Sequence, residues 1–178
     1  MLTAQIKDRN FSIFINSQQL NNRIVELAST INKDVADKDP LFIGILNGSF
    51  MFAADLFKEF NFPCQISFIK IASYQGSKST GNITELLGLK ENIAGRHIIL
   101  IEDIIDTGLT IKHLLEELIA KKPASLRIAT LLLKREALKI EINPEYVGFE
   151  VPNKFLVGYG LDYDGYGRNL KHIYAEVE

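Results

Sequence analysis

A chain of 178 residues is the size of one ordinary domain, or of one domain with a small extra lobe. With 47% of its residues apolar it can build a real core and is too apolar for a disordered protein. A net charge of −2 and a pI near 6.0 supply no global attraction for nucleic-acid phosphates, which need clustered cations.

Residues 11–15 look like a short strand. Ser17 is then expected to cap a helix whose apolar residues Leu20, Ile24, Leu27, Ala28 and Ile31 fall on one face. The apolar run 41–46 suits a strand buried on both sides of a parallel sheet. Asn47-Gly48-Ser49 breaks it, and 50–60 reads as helix. Residues 65–73 alternate like a strand. Residues 74–83 are polar and rich in Gly, Ser and Thr, with no periodicity. Another buried strand is expected over 97–101, and a helix over 110–120 with Ile111, Leu114, Leu115, Leu118 and Ile119 on one stripe. Strands follow over 126–133, 146–151, 155–158 and 170–175. Strands alternating with helices of about ten residues argue for a parallel α/β sheet. In such a sheet the ligand sits beyond the C-terminal strand ends, which here means loops 47–49, 74–83, 102–110 and 134–137. No repeat or linker divides the chain, so 1–178 reads as one domain.

The third of those loops is the most specific. Residues 99–110 run Ile-Leu-Ile-Glu-Asp-Ile-Ile-Asp-Thr-Gly-Leu-Thr. The apolar strand is expected to end in Glu102-Asp103, and a helix starts at Thr110. The first turn of a helix offers free N–H groups and a positive dipole end, which suits a phosphate monoester. Thr107 and Thr110 add hydroxyl donors, and Gly108 lets the backbone approach closely. Adjacent carboxylates at a strand tip can accept hydrogen bonds from two vicinal ribose hydroxyls, and can help hold Mg²⁺. An acidic pair could also simply end a strand in solvent, with Thr110 a mere cap; that reading leaves most of the string unexplained. Neither a Walker loop nor a dinucleotide glycine fingerprint is present.

This string resembles the 5-phosphoribosyl-1-pyrophosphate (PRPP) motif of type I phosphoribosyltransferases, and most closely that of the hypoxanthine(-guanine) phosphoribosyltransferases. The resemblance spans about 41–173. It implies the type I phosphoribosyltransferase fold: a central, mostly parallel sheet flanked by helices, with a small hood lobe formed by the N- and C-terminal segments. It assigns Glu102, Asp103, Asp106, Thr107, Gly108, Leu109 and Thr110 to the ribose and its 5-phosphate. Asp106 is the expected catalytic base. Asn47 and Gly48 resemble the family's pyrophosphate loop, whose side-chain cation is replaced here by Asn47. Ser73 and Tyr74, also assigned to pyrophosphate, open a segment over about 73–84 that resembles a mobile lid, whose closure excludes water. Lys134 matches the lysine that contacts a purine 6-oxo group, favouring an oxo acceptor over the amino group of adenine; Arg135 beside it reads as a solvated charge. Phe155 is expected to stack on the purine and Leu156 to offer it backbone groups. Asp162 is placed near metal-bound pyrophosphate and the base, and Arg168 at the pyrophosphate. The metal is Mg²⁺, with Asp162, Glu102 and Asp103 as protein donors. Gly165 and Gly167 stand where relatives are bulkier.

The expected substrates are therefore PRPP and a 6-oxopurine. Two alternatives keep the same fold. One is an enzyme that prefers xanthine or guanine, and the other is a non-catalytic regulator that binds nucleic acid. A phospho-acceptor signalling domain can also carry an acidic pair, but needs neither the 107–110 turn nor the 155–162 tail. The one cysteine, Cys64, allows no internal disulfide and suits a reducing compartment. Residues 1–10 do not read as a signal peptide, and no apolar run approaches the roughly 20 residues that cross a bilayer. A cytoplasmic protein with no nucleic-acid or membrane partner is expected, assembled as a homodimer or homotetramer. His97, His113 and His172 show no ligand spacing and read as structural.

Overall fold

The computed structural model describes residues 3–73 and 84–177. Six strands form the larger sheet: β3 (Leu41–Leu46), β4 (Gln65–Ser73), β5 (Thr84–Leu87), β6 (His97–Ile105), β7 (Ser125–Leu133) and β8 (Tyr146–Glu150). Their spatial order is β5-β4-β3-β6-β7-β8. Every neighbouring pair is parallel except β4 with the edge strand β5. Helices α1 (Ser17–Val35) and α2 (Phe50–Lys58) cover one face and α3 (Leu109–Ala120) the other.

The strands alternate between these faces with the period of two that pleating dictates. Phe42, Ile99, Ile101 and Leu131 join α1 and α2 in one core. Leu41, Ile43, Ile98 and Leu100 join α3 in the other. Covering helices on both faces explain why these strands read as unbroken apolar runs.

The chain ends form a second, antiparallel sheet. It contains β1 (Thr3–Ile6), β2 (Arg9–Ile15), β9 (Leu156–Val157) and β10 (Ile173–Glu176), in the order β1-β2-β10-β9. Ile173 and Ala175 of β10 pack into the core around α1, and Tyr174 points the other way, against Phe11 and Val157. The small sheet is thereby joined to the core that α1 and α2 form with the large one.

Several details differ from the sequence reading, among them the late start of β10 at Ile173 and the two-residue length of β9. The N-cap of α1 is Asn16, not Ser17. Asn16 Oδ1 accepts from the Gln19 N–H at 3.0 Å while the Asn16 N–H donates to the Gln19 side chain at 2.9 Å, a reciprocal capping box. β6 does not end at Glu102-Asp103. Its ladder with β7 continues through Ile104–Leu132 and Ile105–Leu133, so the acidic pair lies inside the strand. α3 begins at Leu109, after Gly108 in the left-handed region at φ 80°. β1 and β5, four residues each, are additional strands. No helix of the described residues is long and apolar enough to cross a membrane.

Candidate active site

Four segments converge beyond the C-terminal ends of β3, β6 and β7. After β3 comes Asn47-Gly48-Ser49, entered through a cis peptide between Leu46 and Asn47. Ser49 is fully buried, and its hydroxyl donates to the Ile45 carbonyl at 2.6 Å, tying the loop back to its own strand. After β6 comes the 106–108 turn. It borders a cleft of about 150 Å³ lined by Glu102, Asp106, Thr107, Gly108 and Thr110 among others. A Cβ on Gly108 would come within 2.9 Å of Ile140, so both its backbone conformation and its packing require glycine. The Thr107 carbonyl accepts from the Lys139 N–H at 3.0 Å, which fixes the rim of the turn. Leu109 is exposed at the start of α3, where the first N–H groups of a helix have no internal partners.

Glu102 and Asp103 hold the centre. Glu102 Oε2 is shielded from solvent with no hydrogen-bond partner. Burial and then the neighbouring charge of Asp103 push the Glu102 carboxyl well above the ordinary carboxylate range. Asp103 is itself buried, which raises its carboxyl too, while its Oδ1 accepts from the Ile104 N–H at 2.9 Å. A ligand offering hydroxyl donors or a cation here would meet acceptors already stripped of water.

Lys134 follows β7. Its side chain is only 8% exposed, and its ammonium sits 2.7 Å from Asp106 Oδ2. The residue assigned to the base and the residue assigned to proton transfer are thus one ion pair. Arg135, read as a solvated charge, is about half exposed and pairs with Glu150, with Nε 2.9 Å from the carboxylate. The exposure of both groups keeps that pair weak.

The segment after β9 closes the site. Arg168 lies 2.7 Å from Asp162 Oδ1 and donates to the Gly160 carbonyl at 2.7 Å, and Asp162 Oδ2 accepts from the Gly165 N–H at 2.6 Å. Phe155 is exposed, edge-on to Tyr163 and tilted against Phe11. Leu156 is buried in β9, opposite Ala175. Ser73 is the last residue of β4, and Tyr74 with 74–83 of the expected lid lies outside the described residues. Among the described residues no three His, Cys, Asp or Glu side chains converge on one point. Two of the histidines carry structural contacts: His172 Nδ1 accepts from the Ser17 N–H at 2.8 Å, and His97 lies 2.8 Å from Ser125 Oγ, while His113 is exposed on α3 beside Glu116.

A phosphoribosyl transferase domain model matches residues 15–164, all four of these segments except Arg168. The chain belongs to the phosphoribosyltransferase family. This phosphoribosyltransferase is 39% identical over 172 residues to the hypoxanthine-guanine phosphoribosyltransferase of Aquifex aeolicus, covering 96% of this chain and 97% of that one. It is 42% identical over 162 residues to the hypoxanthine-guanine-xanthine phosphoribosyltransferase of Tritrichomonas foetus, covering 90% and 88%. Among solved structures, a hypoxanthine-guanine phosphoribosyltransferase from Bacillus anthracis superposes with a TM-score of 0.85 at 38% identity, covering 97% of this chain and 99% of that one.

Two features of the phosphoribosyltransferase were not singled out from sequence. Gly48 and Gly160 are stacked: a Cβ on Gly48 would lie 1.7 Å from Asp103 Oδ2, and one on Gly160 would lie 2.1 Å from the Gly48 carbonyl. The turn Lys7-Asp8 and the following Arg9 of β2 reach the 155–166 segment. Both contacts join residues more than 50 positions apart, beyond the reach of any local pattern.

Proposed function

We propose that the protein transfers 5-phosphoribose from PRPP to N9 of hypoxanthine and guanine, releasing pyrophosphate and the nucleoside monophosphate. The observation that carries this reading is the convergence of the buried Glu102-Asp103 pair, the 107–110 turn and Lys134 at the ends of adjacent parallel strands.

In this reading Glu102 and Asp103 accept hydrogen bonds from the ribose hydroxyls. The 107–110 turn and the start of α3 hold the 5-phosphate. Asn47 and Gly48 offer backbone N–H groups to pyrophosphate, joined by Arg168 and by Ser73 and Tyr74. Phe155 stacks on the purine, Leu156 lines its edge, and Lys134 donates to the 6-oxo group. Asp106 accepts the proton leaving the base as N9 bonds to the sugar, a contribution typically of about 10²–10⁴-fold. Mg²⁺ suits this site although the described residues form no protein cage, because that ion keeps its waters and substrate oxygens and needs only one or two carboxylates. The unpartnered Glu102 oxygen, Asp103 and Asp162 are the donors on offer. Bound there, Mg²⁺ neutralises charge on the departing pyrophosphate. The cytoplasm and a homodimer or homotetramer belong to the same proposal.

The test supplies protein, Mg²⁺ and PRPP with hypoxanthine, guanine, xanthine or adenine in separate reactions, followed by product absorbance. Hypoxanthine and guanine are expected to be consumed and adenine left intact. Adenine turnover matching that of hypoxanthine would overturn the assignment of Lys134. Xanthine turnover equal to guanine would place the chain with the broader specificity named for the Tritrichomonas relative.

A further inference from the structure

Three consecutive residues, the turn pair Lys7-Asp8 and Arg9 at the start of β2, each engage the segment that carries Phe155. Lys7 forms an ion pair with Asp164 and lies 5.0 Å from the centre of the Tyr166 ring. Asp8 Oδ1 accepts from the Tyr163 hydroxyl at 2.9 Å. The Arg9 guanidinium lies over two rings at once, 5.2 Å from the centre of Phe155 and 4.7 Å from that of Tyr163. Glu176 of β10 anchors it at 3.2 Å. The hairpin thus meets the loop at four residues.

These contacts differ in weight. The Lys7 pair is exposed, so solvent screens it. Arg9 is no more buried than Lys7, but its carboxylate partner Glu176 is half as exposed as Asp164, and its guanidinium spreads across two aromatic rings, where a planar group stacks and an ammonium does not. An exposed phenylalanine without such backing would sample several rotamers and present no fixed face.

We infer that Arg9 is a positioning residue for the purine: it clamps Phe155 between the N-terminal hairpin and Tyr163, so the ring meets the base in one orientation. Arg9, Tyr163 and Phe11 all pack on the ring, and the 39% of Phe155 that stays exposed is what a base can stack against. This inference rests on the proposed role of Phe155 in stacking the base. A positioning role acts on base affinity and leaves PRPP binding and the chemical step unchanged.

The experiment compares Arg9→Met, Arg9→Lys and Phe155→Leu by steady-state kinetics with hypoxanthine and PRPP varied separately. Arg9→Met is expected to raise the purine KM about tenfold, a change of roughly 1.4 kcal/mol, with kcat and the PRPP KM within twofold of wild type. Arg9→Lys keeps the charge and the reach to Glu176 but loses the plane, so an intermediate purine KM is expected. A merely structural role would instead lower kcat and raise both KM values together in both Arg9 variants, which overturns the inference. So does an unchanged purine KM in Arg9→Met beside a raised one in Phe155→Leu. An unchanged purine KM in Phe155→Leu would overturn the stacking role of Phe155 and the clamp with it.

Discussion

Glu102 is costly to fold. Its carboxylate is buried with an oxygen that no donor reaches, and Asp103 beside it repels a second charge. The physical cost has a direction in pH. A glutamate raised above its ordinary value of 4.5 keeps a proton in the folded state that the unfolded chain has released. Stability therefore falls as pH rises from 4.5 to the folded value, and is unaffected by this group below 4.5, where both states are protonated. Glu102→Gln removes the ionisation. It is expected to raise the melting midpoint of the ligand-free protein at pH 7 by about 2–4 °C, the shift that roughly 1 kcal/mol produces in a domain of this size. At pH 4 the two proteins should melt alike, and the variant should lose PRPP binding. Equal melting at pH 7, by calorimetry, would show that the carboxylate is solvated after all. Asp106 and Lys134 make the contrasting case: their charges satisfy each other at 2.7 Å. The residue types of both pairs were readable from sequence. Their burial and the pairing of Asp106 with Lys134 were not, because they depend on how β6 and β7 end side by side.

At the scale of elements, Gly48 and Gly160 transmit position from one loop to the next. The carboxylate of Asp103, the backbone of Gly48 and the backbone of Gly160 lie in contact, and Arg168 grips the Gly160 carbonyl from the far side. Any side chain at 160 must push the 158–168 segment off the 47–49 loop. Gly160→Ala is expected to raise the KM for PRPP and for hypoxanthine together, each about tenfold. Gly165 serves as the control. It also has positive φ, at 85°, yet open space surrounds it, so Gly165→Ala adds backbone strain without a collision. Its KM values should stay within about threefold of wild type. Matching effects in the two variants, measured under the same conditions, would mean that strain and not contact governs the site. The elements themselves were mostly legible. Unbroken apolar runs marked β3 and the start of β6 because helices cover both faces of the large sheet. The extension of β6 through Glu102-Asp103 was hidden because carboxylates ordinarily end a strand. β1 and β5 were hidden because four residues carry too little periodicity, and each is defined by its antiparallel partner.

At the scale of the whole molecule, the two sheets share one core, and so are expected to unfold as one. Phe42 and Ile99 of the large sheet lie in the same cluster as Ile15, Leu156, Ile173 and Ala175 of the small one, with α1 between them. The chain ends thereby become part of the central packing, since β2 and β10 are neighbours. Phe42 is fully buried, stacked on Phe60 at 4.5 Å and edge-on to Phe57. Phe42→Ala removes this packing and should cost about 3–5 kcal/mol. The chain has no tryptophan, and four of its six tyrosines lie at position 159 or beyond, so tyrosine fluorescence reports on the small sheet and the 158–168 segment. Far-UV circular dichroism is dominated by the helices against the large sheet. In urea the two signals should give coincident transitions in wild type and shift together in Phe42→Ala, as a single cooperative unit requires. A shift in the dichroism alone would show that the small sheet and the purine-binding segment unfold independently. Substrate affinity could then be lost before the large sheet melts. Coincidence would instead make the purine site as stable as the core that carries it.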